Sequence, residues 1–285
     1  MKLTDIKQIL SERDLQLTKS LGQNFLHDQN QIRRIVDAAA ITAGEKVLEI
    51  GPGLGPLTEF LLAPAGEVLA IEKDERLVAF LKGKFATEPK LTLLHDDALF
   101  YVKKHRDWKN WIVASNLPYS VASPILVELA EADEPPKRIA VTLQMEVAKR
   151  LAAQTDDDDY GLLTLLVLLR YEAQGLFKIP SSCFFPEPDV DSACITLVRR
   201  PNRLLPVELE RPFKQIVKCA FSQRRKMMMK LLKQFWPVEK LNSAFETLQI
   251  SPQIRAEKVS LEQFIRLTNL LGAAVVQGRA KDSGK

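Results

Sequence analysis

The sequence predicts an α/β protein: a doubly wound parallel sheet with helices on both faces, followed by a small all-helical domain. Three observations carry that prediction. Short apolar runs alternate with helix-period segments between residues 46 and 154, the pattern of repeated βα units. The first run stops at a glycine turn, Gly51-Pro52-Gly53-Leu54-Gly55. Beyond a linker bracketed by Pro201 and Pro206, the pattern becomes helical only.

The elements follow in order. Residues 1–20 read as a short amphipathic helix and a basic lead-in. The stretch 21–28, Leu-Gly-Gln-Asn-Phe-Leu-His-Asp, precedes a helix over 29–40 and has the form of a helix cap with a hydrophobic staple. Strands over 46–50, 67–72, 91–94, 111–115 and 137–143 each lead into a helix, over 55–63, 75–85, 98–104, 122–131 and 145–154. An acidic loop, 156–159, opens onto a helix over 161–170. Strands over 171–179 and 192–199 enclose a proline-rich loop. Helices over 207–221, 225–235, 238–248 and 260–271 complete the pattern, and the tail 273–285 has no periodicity. The domains are thus 1–203 and 204–272, with a frayed tail beyond.

Composition narrows the class. With 285 residues, 46% hydrophobic and 27% charged, the chain can bury a sizeable core in two domains. A net charge of +4 makes the distribution of charge more informative than its total. Three cysteines, Cys183, Cys194 and Cys219, form no CxxC pair and read as free thiols of a reducing compartment. Three scattered histidines predict no metal site. Residues 1–26 do not resemble a leader, and the longest apolar stretch, 162–169, is too short to span a bilayer. These features predict a cytoplasmic protein without a membrane partner.

Polar residues gather at predicted strand ends: Glu49, Glu72, Asp97 and Asn116. In an open α/β sheet that edge binds ligands. Glycines at 51, 53 and 55 let backbone approach a nucleotide-like ligand, although an ordinary strand-to-helix turn has the same form. Glu72 lies 21 residues after Gly51, an offset suited to ribose hydroxyls and unsuited to a 2′-phosphate, although a charge at a helix N-terminus takes the same place. Asp97 is placed to accept from the exocyclic amine of an adenine, or to cap the helix at 98. In Asn116-Leu117-Pro118-Tyr119, proline frees the Leu117 carbonyl from a regular ladder. The Asn116 amide and that carbonyl, with the Tyr119 ring, form a socket for an amine on a flat ring. Phe184 and Phe185 stand in the proline-stiffened loop and suit base stacking, or plug the core.

Taken together, these stretches resemble the rRNA adenine N6-dimethyltransferases. The matching segments are Gly22-Gln-Asn-Phe-Leu26, Glu49-Ile-Gly-Pro-Gly53, Glu72, Asp97-Ala98, Asn116-Leu-Pro-Tyr119, Gln144-x-Glu146-Val147 and Tyr160-Gly161. They continue with Phe184-x-Pro186-x-Pro188-x-Val190-Asp-Ser-Ala193, Phe221-x-Gln-Arg-Arg-Lys226 and Arg255-Ala-Glu257. The last two are most similar to the bacterial small-subunit branch. The resemblance implies a Rossmann-like S-adenosylmethionine-dependent methyltransferase sheet and S-adenosylmethionine as cofactor. It places Asn24, Leu26, Gly51, Gly53, Glu72, Asp97 and Asn116 around that cofactor. It implies that Asn116, the Leu117 carbonyl and Tyr119 receive the target adenine, with Phe184 on its other face. The implied reaction is dimethylation of two adjacent adenosines in the 3′-terminal hairpin of 16S rRNA. The implied partner is the 30S subunit or its precursor, approached by a monomer. The chain departs from the family pattern at Met227-Met-Met-Lys230, Met145 and Asp96. These departures bear on RNA contact more than on chemistry.

Residues 211–233 carry eight Lys or Arg and no acid, including Arg224, Arg225, Lys226 and Lys230. Such a run is a backbone-binding surface for RNA or a solvated helix face. Three other functions fit parts of the sequence: a large-subunit rRNA methylase, a non-catalytic RNA-binding factor on the same scaffold, and a nicotinamide dehydrogenase. The last leaves the Asn-Leu-Pro-Tyr socket unexplained.

Overall fold

The computed structural model describes residues 1–13, 15 and 23–274. Most of the basic lead-in, with Leu21 and Gly22, lies outside them, as does the tail from 275. Two compact units divide the chain: residues 1–152 with 170–201, and residues 153–169 with those from 202 onward.

In the first unit, α1 (Leu3–Glu12) and β1 (Phe25–Leu26) precede α2 (Gln29–Ala39). Five strand–helix pairs follow: β2 (Lys46–Ile50) and α3 (Pro56–Leu61), β3 (Glu67–Glu72) and α4 (Glu75–Lys84), β4 (Leu91–His95) and α5 (Ala98–Lys104), β5 (Trp111–Asn116) and α6 (Ala122–Ala130), β6 (Arg138–Gln144) and α7 (Met145–Ala152). After α8 (Leu162–Leu168), which belongs to the second unit, come β7 (Tyr171–Ile179), β8 (Phe184–Phe185) and β9 (Ser192–Arg199). Seven strands form one sheet in the order β4-β3-β2-β5-β6-β9-β7. Strands β2 to β6 pair in parallel, whereas β9 runs antiparallel to both β6 and β7. Strands β1 and β8 pair separately, Leu26 opposite Phe184 and Phe25 opposite Phe185.

The parallel strands read as apolar runs because both faces are covered. In β2 every residue after Lys46 is buried. On one face Ile32 and Ile35 of α2 and Leu57 and Leu61 of α3 pack with Val47, Ile112 and Ala140. Aspartates start the helices that face the sheet edge. Asp28, Asp74 and Asp97 accept from the backbone N–H groups of Gln31, Arg76 and Leu99, a cap that stabilises by about 1 kcal/mol each.

Between β2 and β5 the ladder stops at Leu48 opposite Val113, and the strands part. The fully buried Ser115 bridges the gap: its hydroxyl donates to the Ile50 carbonyl at 2.5 Å, and Ile50 N–H lies 3.3 Å from the same oxygen. This is the switch point of the sheet, where ligand crevices form.

The second unit holds α8, α9 (Val207–Ala220), α10 (Met228–Leu232), α11 (Val238–Thr247) and α12 (Leu261–Leu271). Residues 153–169 therefore depart from the expected first domain. Tyr160 explains the difference. Its hydroxyl donates to the Val259 carbonyl at 2.9 Å, and its ring meets Phe221 edge-on at 6.2 Å between centroids. Helix α10 is also shorter than the predicted 225–235, so Arg224, Arg225 and Lys226 stand in the turn before it.

Candidate active site

The glycine turn is held by what surrounds it. Gly51, Gly53 and Gly55 all have positive φ, at 67°, 63° and 75°, where other residues are strained. A Cβ on Gly53 would lie 2.8 Å from two carbons of the Phe25 ring. The turn thus needs glycine for close approach as well as for conformation.

Glu72, at the end of β3, fastens the turn from below. Its carboxylate accepts from Gly53 N–H at 3.1 Å, Lys73 N–H at 2.8 Å and Asp74 N–H at 2.9 Å. Burial raises its pKa above the ordinary carboxylate value, and these three bonds oppose the shift. Two carboxylate oxygens offer about four acceptor positions, which leaves room for a ligand hydroxyl. Glu49 is buried nearby and accepts from Thr58 Oγ1 at 2.7 Å. Burial, with the neighbouring Glu72 charge, pushes its pKa up to about 8.

Asp97 caps a helix, as one of its two readings expected, and also forms an ion pair. One oxygen caps α5 through Leu99 and Phe100 N–H, and the other pairs with Lys73 Nζ at 2.8 Å. That lysine holds the carboxyl below its usual range. Asn116 ends β5. Its Nδ2 donates to the Asn24 carbonyl at 3.0 Å, which fixes the amide orientation. Its Oδ1 is buried and has no hydrogen-bond partner. The next residue, Leu117, donates its N–H to Thr142, and the Tyr119 hydroxyl lies 2.5 Å from Ser192 Oγ.

One cavity joins these groups. Its lining includes Asn24, Phe25 and Leu26, the glycine turn from Glu49 to Gly53, Glu72 and Lys73, Asp96 to Leu99, and Asn116 to Pro118. The sequence-selected Asn24, Leu26, Gly51, Gly53, Glu72, Asp97, Asn116 and Leu117 are therefore brought together. Phe184 is not. Of its two readings, stacking ring or core plug, the packing agrees with the second: Phe184 is 3% exposed and packs with Leu26, Ile179 and Cys183. The cause is the β1–β8 ladder, which sets Phe184 opposite the buried Leu26. Phe185 is the more exposed ring, with Lys7 Nζ 5.3 Å from its centroid.

Three contributors escaped sequence reasoning: Ser115, Phe25 over Gly53, and Lys73 on Asp97. A serine inside the apolar run of β5 was the available signal for the first. The other two pairs are distant in sequence and leave no pattern.

The site suits a ligand that lies against backbone and offers hydrogen-bond donors. The cradle at Gly53 tolerates no side chain, Glu72 retains acceptor capacity, and Asn116 Oδ1 is an unpaired acceptor. The sequence profile of the ribosomal RNA adenine dimethylases matches residues 14–272. A protein of Bacillus pumilus named ribosomal RNA small subunit methyltransferase A is 39% identical over 280 residues, covering 94% of this chain and 96% of that one. A protein of the same name from Geobacillus thermodenitrificans is 37% identical over 276 residues, covering 93% and 94%. The solved structure of the 23S rRNA methyltransferase ErmE superposes with a TM-score of 0.67 at 26% identity, covering 87% of this chain and 99% of that one. A dimethyladenosine transferase from Plasmodium falciparum superposes at 0.74 with 24% identity, covering 85% and 95%, and supports the fold. The chain belongs to the ribosomal RNA adenine dimethylase family. Its methyl donor is S-adenosylmethionine. Among the described residues no cluster of His, Cys, Asp or Glu could hold a metal ion.

Two outcomes follow from this geometry. Gly53→Ala should weaken S-adenosylmethionine binding about tenfold or more by calorimetry; an unchanged Kd would refute the close packing against Phe25. Glu49 gives a pH signature. Its folded pKa lies above its unfolded one, so its contribution to stability is full below about pH 4.5 and lost as pH rises to about 8. Across that range the melting temperature of Glu49→Gln should fall less steeply than that of the wild type. Parallel curves would show that Glu49 ionises normally.

Proposed function

We propose that this protein dimethylates N6 of two adjacent adenosines in the 3′-terminal hairpin of 16S rRNA, acting on the 30S subunit or its precursor. It works in the cytoplasm as a monomer and without a membrane partner. Among the described residues no helix is long and apolar enough to cross a membrane. The observation that carries the reading is Asn116, which lines the cavity with Leu117 and whose buried Oδ1 has no hydrogen-bond partner. The small-subunit names of the curated relatives favour 16S over 23S rRNA.

Bound in this cavity, S-adenosylmethionine supplies an electrophilic methyl group on a cationic sulfur. Glu72 would hold the ribose hydroxyls, and Asp97, already paired with Lys73, would accept from the adenine amine. Asn24, Leu26, Gly51 and Gly53 line the remainder. The acceptor side rests on Asn116 and the Leu117 carbonyl. Adenine N6 is a weak nucleophile because its lone pair is delocalised into the ring. Two acceptors drawing on its two N–H bonds favour a pyramidal nitrogen and direct the lone pair into the cleft. Tyr119, oriented through its hydroxyl by Ser192, bounds the base plane. Positioning supplies most of the catalysis, and no strong base is needed.

The second unit supplies RNA-backbone contacts. Arg211, Lys218, Arg224, Arg225, Lys226, Lys230 and Lys233 are exposed, whereas Lys214 is half-buried. Arg224 also donates to the Asp158 carbonyl at 2.7 Å, which orders the turn. Of the departures from the family pattern, Met228 and Met229 are buried in this unit. They serve its core, while Lys230 remains on the surface.

Asn116→Ala should lower kcat about a hundredfold in a labelled methyl-transfer assay on immature 30S particles. Equal labelling of naked 23S rRNA would instead favour a large-subunit target. Mass spectrometry of small-subunit rRNA from cells with and without the gene checks the two adenosines directly. Replacing Arg225 and Lys226 with alanine should reduce the salt slope of RNA binding by about two. An unaltered slope would remove that turn from the interface.

A further inference from the structure

Asn116 and Thr142 stand opposite each other on the parallel strands β5 and β6. Side chains at paired positions leave the same face of a sheet, on strands about 5 Å apart. Thr142 is fully buried, and its Oγ1 has no hydrogen-bond partner. Asn116 Oδ1 is in the same condition. Two unsatisfied buried oxygens thus lie at neighbouring positions beneath the acceptor socket. The backbones are already joined there, since Leu117 N–H donates to the Thr142 carbonyl at 3.0 Å. On its other side Thr142 faces Cys194 of β9, whose thiol is a weak acceptor. A buried hydroxyl without a partner destabilises a fold, and valine has the same shape without that cost. Thr142 thus has a hydroxyl donor to place, and Asn116 Oδ1 is an unpartnered acceptor at the paired position.

We propose that Thr142 is a positioning residue for the acceptor amide, an inference that rests on the role of Asn116 given above. As the target amine engages Asn116 Oδ1, the Thr142 hydroxyl turns about χ1 and donates to the same oxygen from the sheet side. An amide oxygen has two lone pairs, so both donors fit. With Nδ2 already held by the Asn24 carbonyl, the amide is then pinned at both ends. The effect matters most in the second transfer. A monomethylated amine has a single N–H to offer, and an oxygen already fixed in place captures it better than a mobile one.

The test is Thr142→Val in the full chain, with Thr142→Ser beside it. The valine variant should melt at or above the wild-type temperature and bind S-adenosylmethionine with unchanged Kd. Its kcat on immature 30S particles should fall about three- to tenfold. Its products, resolved by mass spectrometry, should shift towards N6-monomethyladenosine, and serine should restore both rate and product ratio. Wild-type kcat and product ratio in the valine variant would overturn the inference. So would failure of that variant to fold, because the hydroxyl would then serve the resting structure. A wild-type protein that leaves adenine N6 unmethylated would overturn the Asn116 reading itself, and this inference with it.

Discussion

The site depends on one carboxylate. Glu72 gathers N–H groups from Gly53, Lys73 and Asp74, and so ties the glycine turn after β2 to the start of α4 after β3. Burying a carboxylate is unfavourable unless it is hydrogen-bonded, and here the backbone provides the bonds. The arrangement constrains both partners. Gly53 must point its N–H downward, which requires its positive φ and leaves no space for a Cβ under Phe25. Phe25 in turn is held in a cluster with Ile6 of α1, Leu54 and Leu77. The cavity floor, the first helix and the edge of β3 are therefore a single packed assembly.

The acceptor side is built differently. Strands β2 and β5 separate at the switch point, and the Ser115 hydroxyl substitutes for the missing ladder bonds. That separation opens the crevice and leaves the end of β5 free of β2. Asn116 can then face the cavity while remaining paired with β6. A longer β2–β5 ladder would close the crevice. The polar residues at the strand ends also have local duties: Asp74 and Asp97 start helices, and Asp74 is pulled down to about 2 by its Arg76 partner. Cap and ligand site share residues because helix N-termini and the carboxyl edge of a parallel sheet occupy the same place.

This overlap explains what could be read from the sequence. The alternating units, the glycine turn and the strand-end set of Glu72, Asp97 and Asn116 were legible because each is local: a period, a turn, or a residue at a strand terminus. The long-range relations were not. Nothing in the run of β9 announces that it inserts antiparallel between β6 and β7. The two-residue ladder of β1 and β8 is too short to have a period, and it is what buries Phe184. Tyr160 sits beside an acidic loop, so its attachment to Val259, and with it the membership of residues 153–169, is visible in three dimensions alone.

The same distinction bears on how specificity is divided. In the proposed reading the cofactor contacts come from residues around the glycine turn, and Glu72 and Gly53 there are held by backbone hydrogen bonds. The proposed acceptor socket adds to the Leu117 carbonyl the side chains of Asn116 and Tyr119, which are oriented by the Asn24 carbonyl and by Ser192. A backbone cradle recognises a shape common to every turnover. A side-chain socket must accept an amine, then the monomethylated amine, and release the dimethylated product, which has no N–H to offer. Loss of the last donor removes the bonds that held the base, so the chemistry that completes the reaction also weakens the grip on its product.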